Sequence, residues 1–202
     1  MLVKLSALAV MLLSLAGCSA ERGSSPNRTA QETLLISVAA DRAAEALAAQ
    51  VPSNLTAWID ASGFSAEDQA YGLAAIQDAL LRHGVRLVGE RNRADAVILP
   101  RAGMLSTYEK NTLIGIPSLP VPVAPGVLMP SLSLYSQNVA KGSAKFAASV
   151  YDPRTGMLIV STDPAYGFSR QSNGTVLFFF TWHKNDMGVD FGENPPQVQT
   201  HK

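Results

Sequence analysis

Residues 143–161 read Ser-Ala-Lys-Phe-Ala-Ala-Ser-Val-Tyr-Asp-Pro-Arg-Thr-Gly-Met-Leu-Ile-Val-Ser. Two β-prone runs, 143–151 and 157–161, flank the sequence Asp-Pro-Arg-Thr-Gly, whose residue types are those of a tight turn. We expect the side chain of Asp152 to accept hydrogen bonds from the amides of that turn. The stretch therefore predicts a β-hairpin in the second half of the chain.

The first half begins with helical periodicity. Apolar residues recur at three- and four-residue steps up to Val51-Pro52, which ends a predicted helix. Ser65 and Asp68 have the spacing of a capping box before a second helix, and Gly84 is its stop signal. The predicted order is helix, strand, helix, strand, strand, over residues 33–50, 55–60, 65–84, 85–88 and 94–100.

Strands dominate the second half of the chain. Residues 101–112 either extend the strand before them or form its hairpin partner, and Asp163-Pro164-Ala165-Tyr166-Gly167 predicts a chain break. The remaining predicted strands are residues 131–135, 143–151, 157–161, 168–172 and 176–182. Helices early and strands late indicate an α+β fold: a mixed, mostly antiparallel sheet with two helices packed on one face.

One apolar segment contains four prolines within residues 117–125. Proline lacks an amide hydrogen and disrupts both helices and central strands, so this segment is either a rigid extended arm or a loop packed on the surface. We expect a protein partner to bind either at a sheet edge or at this apolar arm, residues 113–130. The candidate contact residues in it are Leu113, Ile114, Ile116, Leu119 and Val121.

Residues 176–182 read Val-Leu-Phe-Phe-Phe-Thr-Trp. As a strand this run must be buried on both faces, since an exposed strand of this composition promotes aggregation. The alternative is a patch that contacts a partner or a membrane interface through Phe179 and Trp182. We favour the buried strand as the prediction for this segment.

The first residues carry a targeting signal. Lys4 precedes the apolar stretch 5–15, which is too short for a bilayer-spanning helix, and Leu15-Ala16-Gly17-Cys18 follows. This tetrapeptide resembles the lipobox of bacterial lipoproteins. The resemblance implies that residues 1–17 are a removable signal peptide and that Cys18, the only cysteine of the chain, is lipidated.

The same resemblance implies a location and a domain layout. Ser19 rather than Asp follows Cys18, which in the diderm sorting pattern directs a lipoprotein to the periplasmic face of the outer membrane. Residues 18–32 are then the lipidated cysteine and a flexible tether, because most of them are small, polar or turn-forming. A single domain is expected over residues 33–187, with a disordered tail over residues 188–202.

Composition and charge argue against several classes of function. Sixteen basic and sixteen acidic residues give no net charge, so the chain lacks the basic excess that nucleic-acid binding requires. His83, His183 and His201 have no metal-ligand spacing, and no cofactor-binding motif is present. We therefore expect no metal, no cofactor and no nucleic acid, and favour a non-catalytic protein that binds an envelope partner.

An enzyme is the alternative: an envelope hydrolase or small-ligand-binding protein with a cleft near Asp60. Asp60 follows a predicted strand, where a carboxylate could converge with Arg101 or Tyr166. An aspartate in that place also caps the Ser62-Gly63 turn, and we favour this structural role.

Several segments, in order, resemble a family of uncharacterised bacterial envelope lipoproteins. The segments are residues 94–97, 113–117, 144–146, 151–156 and 164–167. The early helix-strand-helix-strand-strand unit is also similar, at the level of the fold, to curli-secretion lipoproteins and penicillin-binding-protein activator lipoproteins. These resemblances imply an envelope location and no particular activity.

Overall fold

The computed structural model describes residues 29–66, 68–116, 132–177, 179–190 and 197–198. It is an α+β fold in which two helices accompany a curled, mostly antiparallel sheet, as predicted. The expectations for Cys18, for the segment before it, for most of the tether and for residues 117–131 concern parts of the chain outside these ranges.

Helix α1 spans Ala30–Ala48. It starts before the predicted residue 33 because Thr29 and Glu32 form a capping box: the Glu32 amide donates to Thr29 Oγ1 (3.2 Å), and the Thr29 amide donates to Glu32 Oε2 (2.7 Å). Its buried stripe includes Leu35, Ala39, Ala43 and Leu47, one residue every helical turn.

Helix α2 spans Gln69–Arg82 and packs against α1. Its N-cap is Asp68 rather than Ser65, so the predicted capping box is wrong. Its end is as predicted, because His83 is the C-cap residue and Gly84 adopts a φ of 97°, which glycine reaches without strain.

The main sheet has seven strands: β1 Thr56–Ile59, β2 Arg86–Leu87, β3 Ala96–Ile116, β4 Leu132–Tyr151, β5 Leu158–Ser161, β6 Ala165–Val176 and β7 Phe180–Asn185. Their order is β2-β1-β3-β4-β6-β7, with β5 paired to β4. β1 is parallel to β2 and β3, and all other pairs are antiparallel. In the predicted tail, β8 Val189–Asp190 pairs with β9 Gln197–Val198.

Strands β3 and β4 are far longer than predicted. Residues 101–112 extend β3 rather than forming its partner, and the two strands predicted over 131–135 and 143–151 are one. β4 is hydrogen-bonded on both sides over residues 135–146, so the ladders maintain it through polar residues that carry no apolar signal. β6 likewise begins at Ala165, inside the predicted chain break.

The predicted hairpin over residues 143–161 is confirmed. Tyr151 pairs with Leu158, and the Arg154 amide donates to Asp152 Oδ1 over 2.7 Å. This bond lowers the pKa of the Asp152 carboxyl, and Gly156 takes the positive φ of 73° that the turn needs.

The core lies between the sheet and the two helices, with α1 over the centre of the sheet. Phe146 is fully buried, and α1 crosses close to two glycines of the sheet. A Cβ atom on Gly142 would lie 2.1 Å from the Leu35 carbonyl oxygen, and one on Gly167 would lie 1.9 Å from that of Ala39. Ser169 Oγ donates to the Leu35 oxygen over 2.6 Å. These contacts identify the helix-covered face of the sheet.

The prediction of a single buried strand over residues 176–182 is wrong. Val176 belongs to β6 and Phe180 pairs back onto it in β7, so the chain reverses between them, with Leu177 at a φ of 48°. Phe179 is 80 % exposed and Phe180 is 66 % exposed. The apolar run is a turn at the sheet's end.

Candidate functional site

The face of the sheet opposite α1 is here called the open face. Because side chains alternate across a strand, the register of β3, β4, β6 and β7 with Gly142 and Gly167 on the covered face assigns each paired position to one face. Side chains at paired open-face positions form rows across the sheet, for example Tyr108, Lys141 and Arg170 in one row.

The open face combines cations with aromatic residues. Its cations are Arg101, Lys110, Lys141, Lys145, Arg170 and Lys184. Its aromatic residues are Tyr108, Tyr135, Tyr166, Phe168, Phe180 and Trp182. Lys145 Nζ lies 5.6 Å from the ring centroid of Tyr166, a cation–π contact, and the Tyr166 and Phe168 rings stack with centroids 6.3 Å apart.

No open-face position of the described β3, β4, β6 and β7 is Asp or Glu. The salt bridges found among the described residues involve Arg42, Arg82 and Arg154 and none of the open-face cations. Carboxylates gather instead on the helices, where Arg82 pairs with Glu45 and Asp78. Although the chain has no net charge, its open face is therefore basic.

At the ends of β3, β4, β6 and β7 lies a group of exposed apolar side chains, called here the distal end. It consists of Leu113, Ile114, Leu134, Leu177, Phe179 and Phe180. The amide of Leu177 donates to the carbonyl oxygen of Leu134 over 2.9 Å and joins the two hairpins there. Neighbouring strands therefore contribute exposed apolar side chains to this end of the sheet, on both of its faces.

Trp182 lies immediately behind the distal end. A Cβ on Gly174 would lie 2.0 Å from its indole ring, so the ring lies flat across β6. The Tyr135 ring is 6.1 Å away, centroid to centroid. Trp182 keeps 36 % of its surface exposed, on the open face.

A cavity of about 270 Å³ adjoins Trp182 and is lined also by Arg170, Ser172, Lys184, Gln137 and Asp186. Gln137 Nε2 donates to the buried Ser172 Oγ over 3.2 Å. Asp186 accepts from Arg42 Nη1 over 3.1 Å and from the Arg170 amide over 2.8 Å. These partners compensate its charge, so the cations make the cavity suitable for an anionic group.

The covered face carries a row of polar side chains on the part of the sheet between α1 and the distal end. Asn111, Asn138, Asn173 and His183 stand on four successive strands in register. Asn138 Nδ2 donates to Asn111 Oδ1 over 2.6 Å, and His183 Nδ1 lies 3.2 Å from Asn173 Oδ1. The row lines a shallow depression and offers neutral amides rather than charge.

The structure brings four predicted contact residues to the same end of the molecule: Leu113, Ile114, Phe179 and Trp182. The backbone of Ile116 continues β3 opposite Leu132. The other candidates, Leu119, Val121 and Cys18, lie outside the described residues. The sequence analysis did not predict the open face, although Tyr166, Phe168 and Arg170 alternate along one strand.

The residues of the alternative cleft make separate hydrogen bonds and ring contacts. Asp60 Oδ1 accepts from the Ser62 amide over 3.1 Å, which confirms the turn role, and these bonds to Ser62 lower the pKa of the carboxyl. Arg101 Nη1 donates to Ser149 Oγ over 3.2 Å on the open face, while Tyr166 stacks on Phe168. Asp60 does not line the cavity beside Trp182, the depression at Asn111 or the cavity beside Arg91.

Another titratable pair lies between the helices. The Tyr71 hydroxyl is 3.1 Å from each carboxylate oxygen of Asp41. Partial burial raises the pKa of Asp41, and it also raises the pKa of Tyr71 together with the neighbouring Asp41 charge. The pair joins α1 to α2 and faces away from the open face.

Within the described ranges, no cluster of three or more His, Cys, Asp or Glu residues could hold a metal ion. No described helix has both the length and the apolarity to cross a bilayer.

No protein-family model matches the chain, and no curated protein matches it significantly.

Proposed function

We propose that this protein is a lipid-anchored bacterial envelope lipoprotein, held through Cys18 at the periplasmic face of the outer membrane, that binds an acidic protein partner without catalysis. The observation that carries the proposal is the open face, where six cations and exposed aromatic rings share one side of the sheet. The described strand positions of this face include no carboxylate, and Asp186 at the edge of its cavity is paired with Arg42.

The composition of this face suits a protein contact. Aromatic residues and arginine are enriched at interface centres, where large rings bury much area at low entropic cost. Tyr108, Tyr166 and Phe168 are each at least half exposed. The cations add long-range attraction to an acidic surface and raise the association rate.

The sheet face is the expected contact because it carries the cations and the exposed rings. One segment of the sheet edge is also blocked: an added strand there would need the free hydrogen-bonding groups of β6 beyond β7. There, Arg42 Nη1 donates to the Phe168 oxygen, while Asp186 bonds both the amide and the carbonyl of Arg170. These side-chain and backbone bonds close that part of the edge.

Site-specific photocrosslinking tests the proposal. The full-length lipoprotein is expressed in a diderm bacterium with a photoreactive amino acid at Tyr166 or Phe168, or at the control position Leu81 on α2. All three residues are exposed to a similar degree, between 50 % and 57 %. We expect one protein adduct of defined mass from the two open-face positions and none from Leu81.

Charge reversal distinguishes a specific partner from incidental capture. The double variant Lys141→Glu/Lys145→Glu should abolish the adduct, because the basic face then repels an acidic surface. The intact mass of the mature protein should show a diacylglyceryl group on Cys18 that is absent from Cys18→Ala. Equal adducts at Leu81, adducts that survive charge reversal, or no adduct at all would contradict partner binding by this face.

A further inference from the structure

We infer that the distal end is a membrane-docking surface, which inserts into the headgroup layer of the bilayer that holds the lipid anchor and leaves the rest of the open face free for the partner. The inference rests on the proposed anchoring through Cys18. It assigns a bilayer surface with anionic headgroups, and not a protein, to the apolar residues of this end.

The order of side chains along the strands follows the order of chemistry across a membrane interface. The outermost open-face row holds Ile114, Tyr135 and Phe180, the next holds Trp182, and the third holds Lys110 and Lys184. Apolar groups favour hydrocarbon, tryptophan favours the interfacial layer, and lysine favours anionic headgroups. The three rows therefore present these preferences in the required sequence.

The spacing agrees with the dimensions of that layer. Strands rise about 3.4 Å per residue, so Trp182 stands roughly 7 Å and the lysine row roughly 14 Å behind the outermost row. The headgroup region of one leaflet is about 5–8 Å thick. Lysine side chains can extend their ammonium groups several ångströms toward phosphate, so apolar and cationic rows can be satisfied in one orientation.

The predicted tether joins the domain at the start of α1, which points toward the distal end. The Leu35 oxygen lies at Gly142 and Ser169, whereas the Ala39 oxygen lies at Gly167, two residues farther from the distal end along β6. Helix α1 therefore runs away from the distal end, and its first residue points toward it. An anchor pulling on this terminus brings the distal end, rather than the β4–β5 turn, to the membrane.

The length of the tether permits this contact. Ten residues separate Cys18 from Thr29. A flexible chain of that length has a root-mean-square span of about 18 Å and reaches at most about 35 Å. The predicted tether would therefore keep the distal end within reach of the bilayer.

Tryptophan quenching tests the orientation directly, because the chain contains only Trp58 and Trp182. Trp58 lies in β1 and pairs with Val97 of β3. Val97 is about 50 Å along β3 from the row that contains Trp182. The lipidated protein, with either Trp58→Phe or Trp182→Phe, is reconstituted in vesicles of phosphatidylethanolamine and phosphatidylglycerol brominated on the acyl chains. We expect Trp182 to be at least about twofold more quenched than Trp58, with a blue-shifted emission.

Matched variants exclude a trivial effect of tethering. Phe179→Ser/Phe180→Ser should remove most of the Trp182 quenching, and Lys110→Glu/Lys184→Glu should weaken it in anionic vesicles but not in phosphatidylcholine. The control is Met157→Ser/Leu158→Ser, an equally exposed apolar pair at the β4–β5 turn, which should leave quenching unchanged.

The outcomes separate this inference from the proposed function. Equal quenching of both tryptophans, with lipid on Cys18, overturns membrane docking and leaves the anchor intact. An unlipidated Cys18 overturns the anchor, and Cys18→Ala protein added to the same vesicles then decides the inference alone. Quenching confined to Trp182 in that arm supports docking, while none there overturns it.

Discussion

The two faces of the sheet use side-chain size in opposite ways. On the covered face β4 and β6 present Ala140, Gly142, Ala144, Gly167 and Ser169, which let the backbone of α1 approach closely. On the open face the same strands present lysine, arginine and exposed rings. Stability therefore depends on small residues beneath the helix, and the large exposed residues are available for recognition.

The largest expected effect comes from adding one carbon on the covered face. Gly167→Ala would place its Cβ 1.9 Å from the Ala39 oxygen, so the backbone of α1 or of β6 must shift there. We expect a loss of about 4 kcal/mol or more in the free energy of unfolding, measured by urea denaturation. The control Gly89→Ala, with open space around the new Cβ, should change little.

The next largest difference in stability is expected between two phenylalanines, one on each face of the sheet. Phe146 is fully buried against Phe64, whereas Phe168 is 57 % exposed. Phe146→Ala should cost about 3–5 kcal/mol, while Phe168→Ala should change stability by only about 0.5 kcal/mol. Equal losses in thermal and urea unfolding would show that the open-face rings are structural and would argue against their role in binding.

A smaller effect is expected for the hydroxyl that joins α1 to the sheet. Ser169→Ala removes the donor to the Leu35 oxygen and should cost about 1–3 kcal/mol, since the group is buried. Ser143→Ala, on the open face opposite Phe168, is the control. A loss at residue 143 as large as that at residue 169 would contradict the assignment of the two faces.

Local turn chemistry made part of the fold predictable. Asp152 and Gly156 specify their hairpin by contacts within five residues, and the sequence carries that signal directly. The long strands were predicted as fragments because residues 136–142 owe their extended form to pairing with β3 and β6. Sequence patterns of single strands do not contain that information.

The open face was missed for a related reason. The alternation of Tyr166, Phe168 and Arg170 is visible in the sequence, but its meaning depends on which residues of β3 and β4 stand beside them. That register depends on two irregularities in the β3–β4 ladder, between Ala102 and Met104 and between Ile114 and Gly115. The reversal at Leu177 was also unpredictable, since no glycine or asparagine marks its positive φ.

The smallest expected effect is the pH dependence of stability that comes from two carboxyl groups in opposite environments. Their pKa values can be measured by NMR titration. Asp41, partly buried between the helices, should titrate above 3.8, and Asp152, exposed in its turn, should titrate below 3.8. A raised folded-state pKa means that the folded protein binds the proton more tightly. The Asp41 contribution therefore favours folding at low pH and is lost as pH rises from the unfolded pKa through the folded one.

Asp152 gives the opposite dependence: its contribution is present above 3.8 and is lost as pH falls through its depressed pKa. Tyr71→Phe sharpens the test, because the Tyr71 hydroxyl stabilises the Asp41 carboxylate against the dominant effect of burial. Its removal should move the pKa of Asp41 further upward and leave that of Asp152 unchanged. A downward shift at Asp41 would mean that burial between α1 and α2 does not control this carboxyl.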